Sequence, residues 1–167
     1  MANALLAYGT PTAITITLGN GSVGLASSAT DGREGTSVSN ASDLFIDALL
    51  WVKVKGTNSG SVANDKAVLV YVYSTSDEGS PEYPDVVTGS DANITPTNFQ
   101  HLRLVGKVFF AANNTTYKNG GFSVASAFGG VLPKRWGVVV RNYTGIALSI
   151  TGADHRVHYQ GVYTTIV

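Results

Sequence analysis

Leu44-Phe45-Ile46-Asp47-Ala48-Leu49-Leu50-Trp51-Val52-Lys53-Val54 is apolar at every even position, while its odd positions mix Phe45, Asp47, Leu49, Trp51 and Lys53. Side chains of a strand alternate between two faces, so this period of two predicts a long strand with one dry face. Outward from it, the same criteria mark strands at 12–18, 66–74, 99–110, 121–127, 136–142, 146–151 and 157–166, about eight in all.

The composition favours strands throughout. Val, Ile and Thr number 20, 7 and 17 and the aromatics 16, so 60 of 167 residues suit a pleated, half-buried surface. The straight-chain residues that hold exposed helix positions (Glu, Gln, Lys, Arg and Met) total only 17. Nineteen glycines and eleven asparagines, in pairs such as Asn20-Gly21 and Asn119-Gly120, provide turns. No helical crossover separates the strands, which fits an antiparallel arrangement better than a parallel sheet, whose faces need helices. The expected fold is all-β: an antiparallel β-sandwich, jelly-roll-like, with an up-and-down barrel as the alternative. Residues 1–11 read as an N-terminal arm and 12–167 as a single β-sandwich domain. A long acidic loop is expected at 75–98, where Pro81, Pro84 and Pro96 remove backbone donors among Asp77, Glu78, Glu82, Asp85 and Asp91.

Charge narrows the function. Lys+Arg and Asp+Glu are both 11, and charged residues are 13% of the chain, against about 25% in ordinary globular proteins. A protein that binds by neutralising phosphates needs a cationic excess, so nucleic acid is not an expected partner. The chain has no cysteine, which removes disulfides, thiolate metal sites and thiol nucleophiles. The apolar run Ala4-Leu5-Leu6-Ala7 lacks a preceding basic residue and is too brief for a signal-peptide core. No apolar stretch approaches the ~18 residues of a membrane helix. Synthesis in the cytoplasm without a leader, and no membrane partner, are the expectations.

Motifs for chemistry fail on context. Gly19-Asn20-Gly21-Ser22-Val23-Gly24 has dinucleotide-fingerprint spacing, but no helix follows to receive a phosphate, so a glycine-rich turn is expected. His155 and His158 would point to opposite faces of a strand and cannot chelate one ion together. In Thr30-Asp31-Gly32-Arg33-Glu34-Gly35 the spaced acids of a calcium loop are missing, and the expectation is a turn in which Arg33 pairs with Asp31 or Glu34. There is no nucleophile elbow, no zinc-protease motif, and no carboxylate pair at a recognisable spacing among Glu34, Glu78 and Glu82. The chain reads as no enzyme, with no cofactor, metal or small-molecule substrate. Six Asn-x-Ser/Thr sequences begin at Asn20, Asn40, Asn93, Asn113, Asn114 and Asn142, and read as turn composition. Lys134-Arg135-Trp136 is the one compact cationic–aromatic cluster; Trp136 is expected in the core, with the two cations solvated.

Two stretches carry a resemblance. One is Thr30-Asp31-Gly32-Arg33-Glu34-Gly35-Thr36 running to Asn40 and the strand at 44–55. The other is Phe122-Ser123-Val124-Ala125-Ser126-Ala127-Phe128-Gly129-Gly130-Val131-Leu132-Pro133-Lys134-Arg135-Trp136, continuing through Asn142 and Tyr143-Thr144-Gly145 to Tyr159-Gln160-Gly161-Val162-Tyr163. Over about half the chain these resemble small virion structural proteins of tailed bacteriophages, of the capsid decoration or cement type. The resemblance implies a role on the virion's capsid surface, with the major capsid protein and sister subunits as partners and a homotrimer or a monomer at each site. It carries no functional residue with it. Contact candidates from the residues themselves are Leu5, Leu6 and Tyr8 in the arm, Tyr83 in the acidic loop, and Lys134 and Arg135. The alternative is a tail-fibre or baseplate-type module recognising host-surface carbohydrate through tyrosines such as Tyr71, Tyr73, Tyr83, Tyr117 and Tyr143.

Overall fold

The computed structural model describes residues 4–63, 67–75 and 79–166. Eleven strands occur among them: β1 Ala4–Tyr8, β2 Thr12–Ala13, β3 Gly32–Glu34, β4 Val38–Ser39, β5 Asp47–Lys55, β6 Ala67–Thr75, β7 Ala92–Ile94, β8 Arg103–Phe109, β9 Thr116–Ser123, β10 Arg135–Tyr143 and β11 Arg156–Ile166. They form two antiparallel sheets. The first runs β1-β11-β5-β9, with β2 also on β11; the second runs β7-β3-β10-β6-β8, with β4 also on β10. The molecule is an all-β sandwich, as its composition requires.

The period-two strand is the inner wall of the first sheet. Ala48, Leu50, Val52 and Val54 of β5 join Val157 and Tyr159 of β11 against Val68, Val70 and Val72 of β6 and Trp136, Val138 and Val140 of β10. Trp136 is fully buried and meets the Tyr159 ring edge-on at 5.3 Å. This places Trp136 where the sequence puts it.

β6 and β10 are buried on both faces. Their outer residues Tyr71, Tyr73 and Val139 are covered by Val87, Ile94 and Leu102 in a second apolar layer, with Tyr83 and Phe99 packed against it. Residues 79–98 therefore cover the second sheet, with Asp85 and Asp91 turned inward and Glu82 exposed. Asp85 accepts from Thr97 N (3.0 Å), Asn98 N (3.1 Å) and the His101 ring (2.8 Å). Asp77 and Glu78 lie outside the described residues.

Several expected strands are corrected. Of 12–18 only Thr12–Ala13 pairs with β11, because after Ile14 N donates to Val157 O the chain leaves for the second sheet, where Thr17 meets Asp91. The 99–110 stretch begins instead with a 3-10 turn, Phe99–His101, whose first turn is capped by the Asn98 side chain. Residues 121–127 divide into the end of β9 and a 3-10 turn, Ala125–Phe128, held where Asp47 accepts from Ala125 N. Residues 146–151 make one isolated bridge, Leu148 to Gly56, and otherwise pack against the 19–24 hairpin. The expected strand at 66–74 begins, within the described residues, at Ala67; Lys66 lies outside them. Residues 4–8, expected as an arm, are an edge strand in register with β11 from Ala4–Ile166 to Tyr8–Val162; residues 1–3 lie outside the described residues.

Candidate interaction surface

The Gly19–Gly24 motif is a tight hairpin. Asn20 Oδ1 accepts from Ser22 N and Val23 N, and a bridge joins Gly19 to Gly24. A Cβ on Gly24 would overlap the Leu148 carbonyl, so glycine is needed for backbone approach and not for a phosphate.

Beside that hairpin lies a cleft of about 470 Å³, lined by Thr17, Asp31, Arg33, Asn93 and Thr95 among others. Its polar groups are turned on one another. Asp31 accepts from Thr95 Oγ1 and Ser28 Oγ, both at 2.7 Å, and these bonds hold its carboxyl below the ordinary range. Arg33 pairs with neither Asp31 nor Glu34, correcting the expected turn: its Nε donates to Asp91 at 2.6 Å and its Nη1 to Asn93 at 3.1 Å. Burial opposes ionisation of Asp91, but bonds from Arg33 and Thr17 outweigh it and keep its carboxyl below the ordinary range. Glu34 lies deeper, fully buried, accepting from Tyr73 and the Thr88 and Gly89 amides. These are structural clasps between β3 and the segment after it. Among the described residues, no three of His, Asp and Glu gather to hold a metal ion, and no helix is long and apolar enough to cross a membrane.

Most of the sequons serve the fold. Asn142 is fully buried, donating to Leu25 O and Ile146 O and accepting from Thr144 N and Oγ1, which satisfies its whole amide. Asn40 exchanges two bonds with the Phe45 backbone.

The sequence-derived contact residues fall into two places. Tyr83 and Arg135 meet at Ser37: its hydroxyl lies 3.3 Å from Tyr83 Oη and accepts from Arg135 Nη1 at 3.3 Å. The Tyr83 ring also stands edge-on to Tyr73 at 5.6 Å, so this group belongs to the cover of the second sheet. Lys134 is exposed and precedes β10. Leu5, Leu6 and Tyr8 share β1, with 51%, 62% and 56% of their surface exposed. Beside them, Tyr163 and Ile166 at the end of β11 are also exposed. β1 ends the order of its sheet, so among the described residues one side of its backbone has no strand to bond.

Of the tyrosines that could stack on sugar, Tyr71 and Tyr73 are buried, Tyr83 packs on Tyr73, and Tyr117 packs on Phe110 with its hydroxyl on the Ala111 and Ala112 amides. Tyr143 is exposed, its ring 4.8 Å from the Arg141 guanidinium. No two of the five share an exposed platform. Exposed aromatics that the sequence left unassigned include Trp51, on the outer face of β5, and Phe109, at the end of β8.

No family model, no curated protein and no solved structure matches this chain.

Proposed function

We propose that this chain is a virion structural protein of a tailed phage, a decoration or cement protein that binds the outside of the head and reinforces contacts between capsid subunits. The observation that carries the reading is β1: an edge strand with Leu5, Leu6 and Tyr8 exposed and no charge or proline within it. Sheet proteins that stay apart guard such edges with lysine, proline or bulges. An unguarded edge adds to a partner's sheet, where main-chain bonds give affinity and alternating side chains give specificity. The resemblance of residues 30–40, 44–55, 122–145 and 159–163 to small phage structural proteins points the same way. The cleft adds nothing to an enzymatic reading, since its polar groups are spent on one another.

The test is occupancy on heads of the parent phage. Wild-type protein is expected at hundreds of copies per particle, and Leu6→Lys, which puts a charge on the edge, is expected to lose most of them while remaining folded. Full occupancy by Leu6→Lys, or a handful of wild-type copies confined to the tail, overturns the proposal.

A further inference from the structure

The outer face of the first sheet carries an unrelieved charge. Lys53 of β5 stands directly opposite Arg156 of β11 on one side and Lys118 of β9 on the other. Three cations thus line up across three adjacent strands, over roughly 10 Å at the usual strand spacing. Like charges directly opposite one another destabilise a sheet. Among the described residues no carboxylate pairs with any of the three: the nearby Asp154 goes to Lys55 at 3.5 Å and Ser149 at 2.6 Å, and the Lys53 ammonium donates to Ala153 O at 2.8 Å. Burial first, and the Arg156 charge second, hold the His158 imidazole below its ordinary pKa, in keeping with a positive field at this face. In a chain of zero net charge this row is a local concentration of cations, and among the described residues no carboxylate neutralises it directly.

The next row of the same face is His158, Trp51 and Gly120. A Cβ on Gly120 would lie 2.5 Å from Trp51 Cε3 and 2.6 Å from Cδ2, so the indole lies over the bare glycine, with 41% of its surface exposed. A ring laid down on a sheet leaves its other face to solvent, which is the geometry for stacking.

We propose that this face binds a linear acidic polysaccharide, one sugar ring stacking on Trp51 while the acidic groups of its neighbours pair with Lys53, Lys118 and Arg156. The anionic charge answers the cation row, and the stack answers the flat indole. Single-stranded nucleic acid is disfavoured because it is held in a groove with aromatics for successive bases, whereas this face is open and its other exposed aromatic, Tyr8, stands two strands from Trp51 at the sheet edge. An acidic protein is disfavoured because lysine is depleted at protein interfaces. The proposal concerns the part of this sheet formed by β11, β5 and β9, centred two strands in from the β1 edge at its far end, and the triple variant and Leu6→Lys test it and capsid attachment separately.

Trp136 is fully buried, so Trp51 fluorescence reports on the face. Titration with polygalacturonate is expected to quench or shift it, with an affinity that falls as salt rises, and neutral dextran is expected to do neither. Replacing Lys53, Lys118 and Arg156 together by Gln should weaken binding about tenfold or more with thermal stability retained or raised, since it removes like charges opposite one another. The exposed single change Lys118→Gln should weaken it by a smaller factor, and Trp51→Ala, read by calorimetry, should weaken it several-fold. Absence of polygalacturonate binding, or equal binding by the triple variant, overturns the proposal. So does tighter binding of oligothymidylate or polyglutamate, which would reassign the face to nucleic acid or to protein.

Discussion

The phenol of Tyr73 on β6 reaches across β10 to donate a 2.7 Å hydrogen bond to Glu34 Oε1 on β3. It passes over Gly137, its direct cross-strand partner, where a Cβ would overlap the phenol carbon and oxygen. Glu34 also accepts from Thr88 N at 2.9 Å and Gly89 N at 2.5 Å. One buried carboxyl group therefore ties β3 and β6, across β10, to the segment that covers them. Burial and the Glu34 contact push the Tyr73 hydroxyl well above its ordinary pKa, so it stays a donor.

Glu34→Gln keeps the shape and reverses part of the hydrogen bonding, because the new amide nitrogen must face a backbone N–H or the phenol O–H. The expected loss is about 2–4 kcal/mol in chemical denaturation, against about 1–2 kcal/mol for Tyr73→Phe, which leaves the backbone donors in place. Equal and small effects would show that the carboxyl group does not hold the cover.

Gly137→Ala and Gly120→Ala introduce the same methyl beneath an aromatic ring, with different results. Tyr73 is buried and bonded, so Gly137→Ala should cost about 2–3 kcal/mol as an overpacked core. Trp51 is half exposed and its ring can lift away, but its Cα would also lie 2.8 Å from the new methyl, so Gly120→Ala should cost about 1–2 kcal/mol, less than Gly137→Ala, while making the indole more accessible to iodide quenching. Thermal melts and quenching of the two variants check the pair. A larger loss at Gly120 would refute the assignment of which ring is free.

What the sequence made legible was whatever depends on periodicity. Leu44–Val54 revealed one dry face because β5 is buried on one side only, and the chemistry of Trp136 put it inside. β6 and β10, buried on both faces, carry no alternation; β-branched content alone revealed them. What stayed hidden depends on which distant residues meet. β3 and β7 have three residues each and exist because Arg33 and Glu34 find partners some 54 to 60 positions away. The row Arg156, Lys53, Lys118 is invisible until register is fixed, since the three are far apart in the chain. The prolines of the 75–98 segment excluded a central strand correctly, yet gave no sign that Val87 and Ile94 would cover a second apolar face.

Acid should unfold the protein in two stages. His155 Nε2 lies 2.9 Å from Ser149 O and must carry the proton, while its Nδ1 is buried with no partner among the described residues. Burial lowers the His155 pKa more than the Ser149 bond and the Asp154 charge raise it, and His158 is lowered too. Below the ordinary histidine value of about 6.5 the unfolded chain therefore binds protons that the fold refuses, and stability falls with pH until the folded-state values are passed. Each histidine contributes a slope of at most about 1.4 kcal/mol per pH unit. The second stage belongs to Asp31, Asp85, Asp91 and Asp154, all held below the ordinary carboxyl value by hydrogen bonds, whose contribution is present above 3.8 and is lost as pH falls further. Urea denaturation from pH 8 to pH 3 should show both stages, and replacing His155 and His158 by Gln should flatten the first and leave the second. A stability that does not change between pH 7 and pH 5 would mean that the folded chain accepts the His155 proton, and that the orphaned Nδ1 is not as buried as its surroundings require.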